Sequence, residues 1–228
     1  MDPLKIIIFG ESQLASLAHF YFTHDSPHEV VAFTVDRDYI SQNRYLDLPV
    51  VAFEDVKEHY PPSEYQMFLP VSFKQMNYLR RKKFEKAKAM GYTCPSYVSS
   101  KATTWPGLDI GENCFIFEDN TIQPFTKIGD NCILWSGNHI GHHTTIGDHV
   151  FITSHVVISG VCTIEDHCFF GVNSTIRDET IIAKATLVGM GANIVKDTEA
   201  YGIYLGAKTT KYHKKSVDID SISHKSKG

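Results

Sequence analysis

The sequence predicts two joined architectures: a small α/β N-terminal unit with a Rossmann-like parallel sheet, then an all-β left-handed parallel β-helix of about five coils. Three observations carry this reading. Strand-like and helix-like segments alternate over the first part of the chain, an apolar residue then recurs at every sixth position, and a polar tail follows.

The first unit covers residues 1–98. Lys5–Phe9 reads as a strand halted at Gly10, and Ser12–Thr23 as the helix that it feeds. Val30–Val35, ending at Asp36, reads as a second strand, and Gln66–Val71 as a third. A long amphipathic basic segment runs from Lys74 to Met90. Strand, helix and strand at these lengths make a parallel α/β unit. The basic run RRKK (80–83) is read as the solvated face of that segment with Arg80 turned elsewhere, in preference to a nucleic-acid patch.

From Ile110 the period becomes six. The anchors are Ile110, Ile116, Ile122, Ile128, Leu134, Ile140, Ile146, Ile152, Ile158, Ile164, Phe170, Ile176, Ile182, Val188 and Ile194, all large and apolar. If about a third of residues qualify, chance gives such a run on the order of one time in ten million. Four positions after the anchor the residue is small or slender, as at Cys114, Thr126, Cys132, Thr144, Cys162 and Ser174. Glycine often follows the anchor directly (Gly111, Gly129, Gly141, Gly147, Gly171, Gly189), where a tight corner is expected to need a permissive backbone.

A six-residue repeat of this kind builds a triangular coil, with three hexads to a turn and the anchors stacked inside. Such coils are left-handed, an exception to the right-handed crossover rule. Ordinary antiparallel strands would instead show a period of two and hairpin turns. The β-helix is assigned to residues 99–207 and a polar tail, expected to fray, to 208–228.

Composition narrows the function. The chain of 228 residues has a net charge of −4, which argues against a nucleic-acid footprint. The apolar run near the N-terminus is too short for a signal h-region, and no stretch reaches the roughly 18 apolar residues of a membrane span. The five cysteines contain no CxxC pair, so reduced thiols and a cytoplasmic protein are expected. Cysteines at the slender positions are core filler ahead of zinc ligands or nucleophiles.

Histidine is the informative residue type. His139, His142, His143, His149, His155 and His167 cluster in one stretch, and none is an anchor, so each is expected to point outward or lie at a corner. Their spacing fits no standard zinc set, and no metal is expected. Most read as surface or subunit-contact residues, and one as a general base, since histidine titrates near working pH.

The hexads, with IGHHTTIG, ISG at 158–160 and FGVNSTI at 170–176, resemble the hexapeptide-repeat acyltransferases. Within these the chain resembles the two-domain sugar-nucleotide acyltransferases: UDP-4-amino-sugar and perosamine N-acetyltransferases and relatives of sialic acid O-acetyltransferase. The resemblance spans roughly residues 4–207 and is stronger in the β-helix. It implies an acyl-CoA-dependent N-acyltransferase, with acetyl-CoA as cosubstrate and a UDP- or dTDP-linked amino sugar as acceptor. It also implies a homotrimer with its sites at the subunit interfaces.

The matching segment Ile140–Gly147 makes His142 the base, with His143, His155 and Asn138 as candidate assisting residues. The acidic neighbours of the family's histidine are Gly141 and His143 here, so no orienting carboxylate is assigned. The resemblance puts the oxyanion donor at Gly160 and the coenzyme A arm against Val172 and Met190. It puts the nucleotide sugar against Gly10, Ser12, Asp36, Asn77 and Arg80. The glycine at the first strand–helix turn suits a phosphate, but G-x-G-x-x-G is absent, which argues against a dinucleotide. Alternatives are O-acylation of a sugar on the same fold, and a non-transferase trimer, either structural or a zinc carbonic-anhydrase-like protein.

Overall fold

The structure is a computed structural model that describes residues 3–218. In β1 (Lys5–Phe9) alternate residues are buried on opposite faces, Ile6 and Ile8 in one apolar cluster and Ile7 and Phe9 in another. The strand pairs in parallel with β2 (Glu29–Val35), and α1 (Gln13–Asp25) connects them, capped by Ser12, whose hydroxyl accepts the Ala15 N–H at 3.3 Å. A hairpin of β3 (Arg44–Tyr45) and β4 (Leu48–Ala52) extends the sheet beyond β2, and β4 runs parallel to β2. Pro49 and the shortness of LPVVA hide this strand from sequence reading.

After the short α2 (Val56–His59), β5 (Gln66–Phe68) pairs with the other side of β1, giving the order β3-β4-β2-β1-β5. The third strand stops at Phe68, short of Val71, with Pro70 just beyond it. The basic segment is helical only as α3 (Tyr78–Ala89), because Gln75, Met76 and Asn77 all take left-handed φ.

From Tyr97 onward the chain is a parallel β-helix of two-residue strands that pair 18 residues apart, as Ile128 does with Ile110 and Ile146, except at the end, where Leu187 pairs with Ile203. Its three sheets are the faces of a prism. The docking face holds Phe115–Ile116, Ile133–Leu134, Phe151–Ile152, Phe169–Phe170 and Leu187–Val188, with Tyr97–Val98 and Ile203–Tyr204 at its ends. The second face runs from Thr121–Ile122 to Asn193–Ile194, and the third from Asp109–Ile110 to Ile181–Ile182, five strands each. Every anchor from Ile116 to Ile194 is buried, and Ile110, at the open base, is partly so. Cys114, Cys132, Cys162 and Cys168 fill the same interior, and all five cysteines are buried and free.

The corners are built differently from expectation. The left-handed residue lies three positions after each anchor, from Asn113 through Gly191, and only Gly137 and Gly191 in that series are glycines. The glycines that directly follow anchors serve close stacking. A Cβ on Gly111 would come within 2.7 Å of the Asp130 nitrogen in the coil above, and one on Gly141 within 2.8 Å of the Gly160 Cα. Coil separation therefore selects these glycines, and torsion selects the asparagines and histidines three positions after the anchor.

Unlike the other two faces, the docking face is apolar on its outside. Phe115, Ile133 and Phe151 join α1 and β1 in one cluster, with the Tyr21 ring edge-on to Phe115 and Phe117. The Tyr21 hydroxyl donates to Glu118 at 2.6 Å. Residues 208–218 are all exposed and hold one short turn at Ser216–Asp218, and the rest of the expected tail, 219–228, lies outside the described residues.

Candidate active site

Two surfaces carry the sequence-assigned residues. The first is a cleft of about 440 Å³ at the C-terminal ends of β1 and β2, lined by Phe9, Gly10, Ser12, Asp36, Lys74 and Lys83 among others. Gly10 takes a φ of +112° that lets the chain leave β1 and donate its N–H to the Thr34 carbonyl before the helix begins. The Lys83 ammonium lies 2.5 Å from the Asp36 carboxylate. Gly10, Ser12 and Asp36 thus gather here, joined by Lys74 and by Lys83, which the sequence reading puts on a solvated face.

The other two nucleotide-sugar assignments do not line this cleft. Asn77 and Arg80 are fully buried. Arg80 donates to the carbonyls of Asn131, His149, Val150 and Val71 and to Asn77 Oδ1, at 2.9–3.3 Å. Asn77 Nδ2 donates to the carbonyls of His167 and Cys168. Together they fasten α3 to the edge of the coil. Burial pulls the Arg80 guanidinium down to about 10, still charged at neutral pH, with carbonyl dipoles in place of a carboxylate. A second cleft of about 410 Å³ adjoins the first through Ser12 and Ser72 and runs over Phe73 to Trp135, Phe151 and Thr153. It leads from the α/β unit to the corner between the docking and second faces.

The second surface is the next corner, between the second and third faces. His142 is exposed there, and its N–H donates to Gln123 Oε1 at 2.9 Å. Its ring lies against Gly160 one coil above, so that a Cβ there would sit 2.8 Å from Cε1 and 2.9 Å from Nε2. The N–H groups of Glu112, Asp130 and Asp148, at the same place in other hexads, donate to carboxylates of the adjacent coil. The Gly160 N–H has no such partner among the described residues. An imidazole and an unpaired backbone donor therefore share one small area.

The other histidines sort by corner geometry. His143, His149, His155 and His167 all occupy left-handed corner positions, where histidine is one of the better-tolerated residues. His149 and His167 do not point to solvent as expected, because α3 covers their corner. Their rings lie 4.9 Å apart, His149 Nδ1 meets Asn131 Nδ2 at 2.9 Å, and His167 stacks on Tyr78. Burial pushes His149 down to about 3, so it is neutral at pH 7.

His155 lies over Gly137 on the corner reached by the second cleft, and Val172 and Met190 are exposed above it on that same corner. Asn138 is interior. It donates to Asn120 Oδ1 and accepts from the Val156 N–H, so its assignment beside His142 is incorrect: a slender-position side chain faces into the coil. Among the described residues, Gln123, His143 and Gly160 lie against His142. Gln123 was missed, since its contact crosses between coils. Among the described residues no three His, Cys, Asp or Glu side chains are placed to hold a metal ion.

The repeat and the fold have known counterparts. Residues 107–142 and 125–160 match the family model "bacterial transferase hexapeptide (six repeats)", and residues 161–195 match "hexapeptide repeat of succinyl-transferase". No curated protein sequence matches the chain. Perosamine N-acetyltransferase from Caulobacter crescentus, a histidine-to-asparagine variant in complex with CoA and GDP-perosamine, is similar with a TM-score of 0.80 at 20% identity. That match covers 89% of this chain and 93% of the other. The acetyltransferase domain of PglB from Neisseria gonorrhoeae gives 0.79 at 21% identity, covering 89% and 96%. The same domain in complex with acetyl coenzyme A gives 0.75 at 20%, covering 86% and 92%. Residues 107–195 thus match hexapeptide-repeat family models and are wound as a left-handed β-helix, with the α/β unit on its flank.

Proposed function

We propose that this protein is an acyl-CoA-dependent N-acyltransferase, acetyl-CoA being the default donor, that acts on the amino group of a nucleotide-linked amino sugar. The observation that carries the reading is the His142 imidazole lying on Gly160, whose N–H has no partner among the described residues. The amine lone pair attacks the thioester carbonyl while His142 Nε2 takes the amine proton, so no covalent acyl-enzyme forms. The Gly160 N–H donates to the oxyanion as it develops. Collapse of the tetrahedral intermediate breaks the C–S bond, and the imidazolium returns its proton to the leaving thiolate.

The α/β unit, 1–98, binds the nucleotide part in the first cleft, with Gly10 and Ser12 toward phosphate and Asp36 with Lys83 at the far wall. The sugar then follows the second cleft past Trp135 and Thr153. That path ends at one corner of the prism, whereas His142 and Gly160 stand on the next. A homotrimer of parallel prisms reconciles the two. The corner bearing His155, Val172 and Met190 of one protomer then faces the His142 corner of its neighbour, with the coenzyme A arm between them.

The nucleotide is taken to be UDP or dTDP, and GDP belongs in the test because the perosamine enzyme of the same fold was crystallised with GDP-perosamine. Five buried, unpaired thiols suit a reducing compartment, the cytoplasm, and no helix among the described residues is long and apolar enough to cross a membrane.

The test is thiol release from acetyl-CoA with a panel of UDP-, dTDP- and GDP-linked amino sugars, alongside sedimentation to read the oligomer. Release that depends on one of the sugars, from a trimer, is expected. No release above the blank with any acceptor would overturn the assignment.

A further inference from the structure

The two adjacent histidines at the corner are coupled. His142 Nδ1 lies 3.1 Å from His143 Nδ1, with the two rings nearly perpendicular at 85°. Two ring nitrogens at that distance share one proton, so one is N–H and the other a bare lone pair. Among the described residues no carboxylate bonds to either Nδ1. His143 is itself held in place: its backbone is left-handed, with φ of +57°, and its ring packs 4.7 Å from that of Phe125.

We infer that His143 is a positioning residue whose Nδ1 accepts the Nδ1–H of His142, which keeps His142 Nε2 unprotonated beside Gly160. This rests on the reading of His142 as the general base. Only this sharing leaves a base at Nε2. The reverse sharing, with His143 as donor, would leave His142 carrying its proton at Nε2. The nitrogen bonded to the neighbour thus decides the chemistry of the nitrogen that meets substrate. His143 takes the part that a carboxylate plays in many histidine sites.

The backbone suggests the variants. Glycine and asparagine both accept a left-handed φ, so His143→Gly deletes the acceptor without strain, and His143→Asn keeps an acceptor oxygen where Nδ1 stood. Long-range ¹H–¹⁵N spectra of the full-length protein labelled at histidine nitrogens report tautomers without substrate, His142 being identified by its loss in His142→Asn. The wild type and His143→Asn are expected to show His142 protonated at Nδ1 only, and His143→Gly a mixture of tautomers. In turnover, His143→Gly is expected to lose about 10- to 100-fold in kcat at unchanged KM, with most of it regained in His143→Asn. An unchanged His142 tautomer in His143→Gly would overturn the inference. If no sugar is acylated by the wild type, the activity reading fails while the spectra still decide the pairing.

Discussion

The ring of His142 covers the face of Gly160 so closely that a methyl group there would stand 2.9 Å from Nε2. Gly160 does not use a left-handed backbone, so alanine is torsionally acceptable, and the exposed ring is free to swing outward. Gly160→Ala is therefore expected to leave the melting temperature nearly unchanged while moving the imidazole. A displacement of this size costs about 100-fold in kcat/KM. Thermal denaturation together with the thiol-release assay checks both halves, and His142→Asn, expected to lose about 10²–10⁴-fold in turnover, sets the scale.

Ile146 is fully interior, stacked between Ile128 and Ile164, whereas Thr145 on the same strand faces out. Ile146→Asp places an unpaired carboxylate between coils and is expected to prevent folding. Thr145→Asp should be nearly neutral. Soluble yield and the cooperativity of urea unfolding separate the two.

Arg80 joins the two domains through carbonyls at the coil edge. Arg80→Ala strands those acceptors in a dry interface and is expected to destabilise by about 3–5 kcal/mol. Arg80→Lys should not rescue it, since one ammonium cannot reproduce the planar fork. Denaturant midpoints and faster proteolysis between the domains are the measurements.

Burial pushes the His149 imidazole from 6.5 down to about 3. Below pH 6.5 the unfolded chain takes up a proton that the folded site refuses, so this contribution to stability is present above pH 6.5 and is lost as pH falls toward 3. The loss is about 1.4 kcal/mol for each pH unit. Asn113 and Asn131 already form a bonded ladder in the same column, and His149→Asn extends it by one residue. That variant is expected to show a flatter fall in its urea midpoint than the wild type between about pH 7.5 and pH 5.

Burial also pushes the Cys94 and Cys168 thiols up to about 12, and all five cysteines are buried and free. A chromogenic disulfide reagent is expected to titrate none of them rapidly in the native protein and all five after denaturation.

The coil was legible because its core is a nearest-neighbour stack. Each anchor meets the residues 18 positions away, so a period in the sequence is a contact in space. With Ile140 and Ile158 placed, His142 had to face out beside the Gly160 corner. What escaped the sequence reading depended on partners without a period. His149 and His167 are covered only because α3 lies over their corner, and Arg80 and Asn77 look like cleft residues until the coil carbonyls they bind are seen. The docking face did leave a signal in Phe115, Ile133, Phe151 and Phe169, the apolar residues just before its anchors. The glycines after the anchors were correctly located and wrongly explained, since steric clearance and a left-handed φ select the same residue type.

The 18-residue strand pairing also sets how the prism can change length. An insertion of 18 residues adds a storey and leaves every corner vertically aligned. An insertion of six between His142 and Gly160 keeps the anchors inside yet rotates everything downstream by one face, carrying Gly160 away from His142. Two sequences can therefore share an unbroken hexad pattern while only one retains the corner. The coil tolerates growth in one quantum, and the chemistry at its edge counts whole turns.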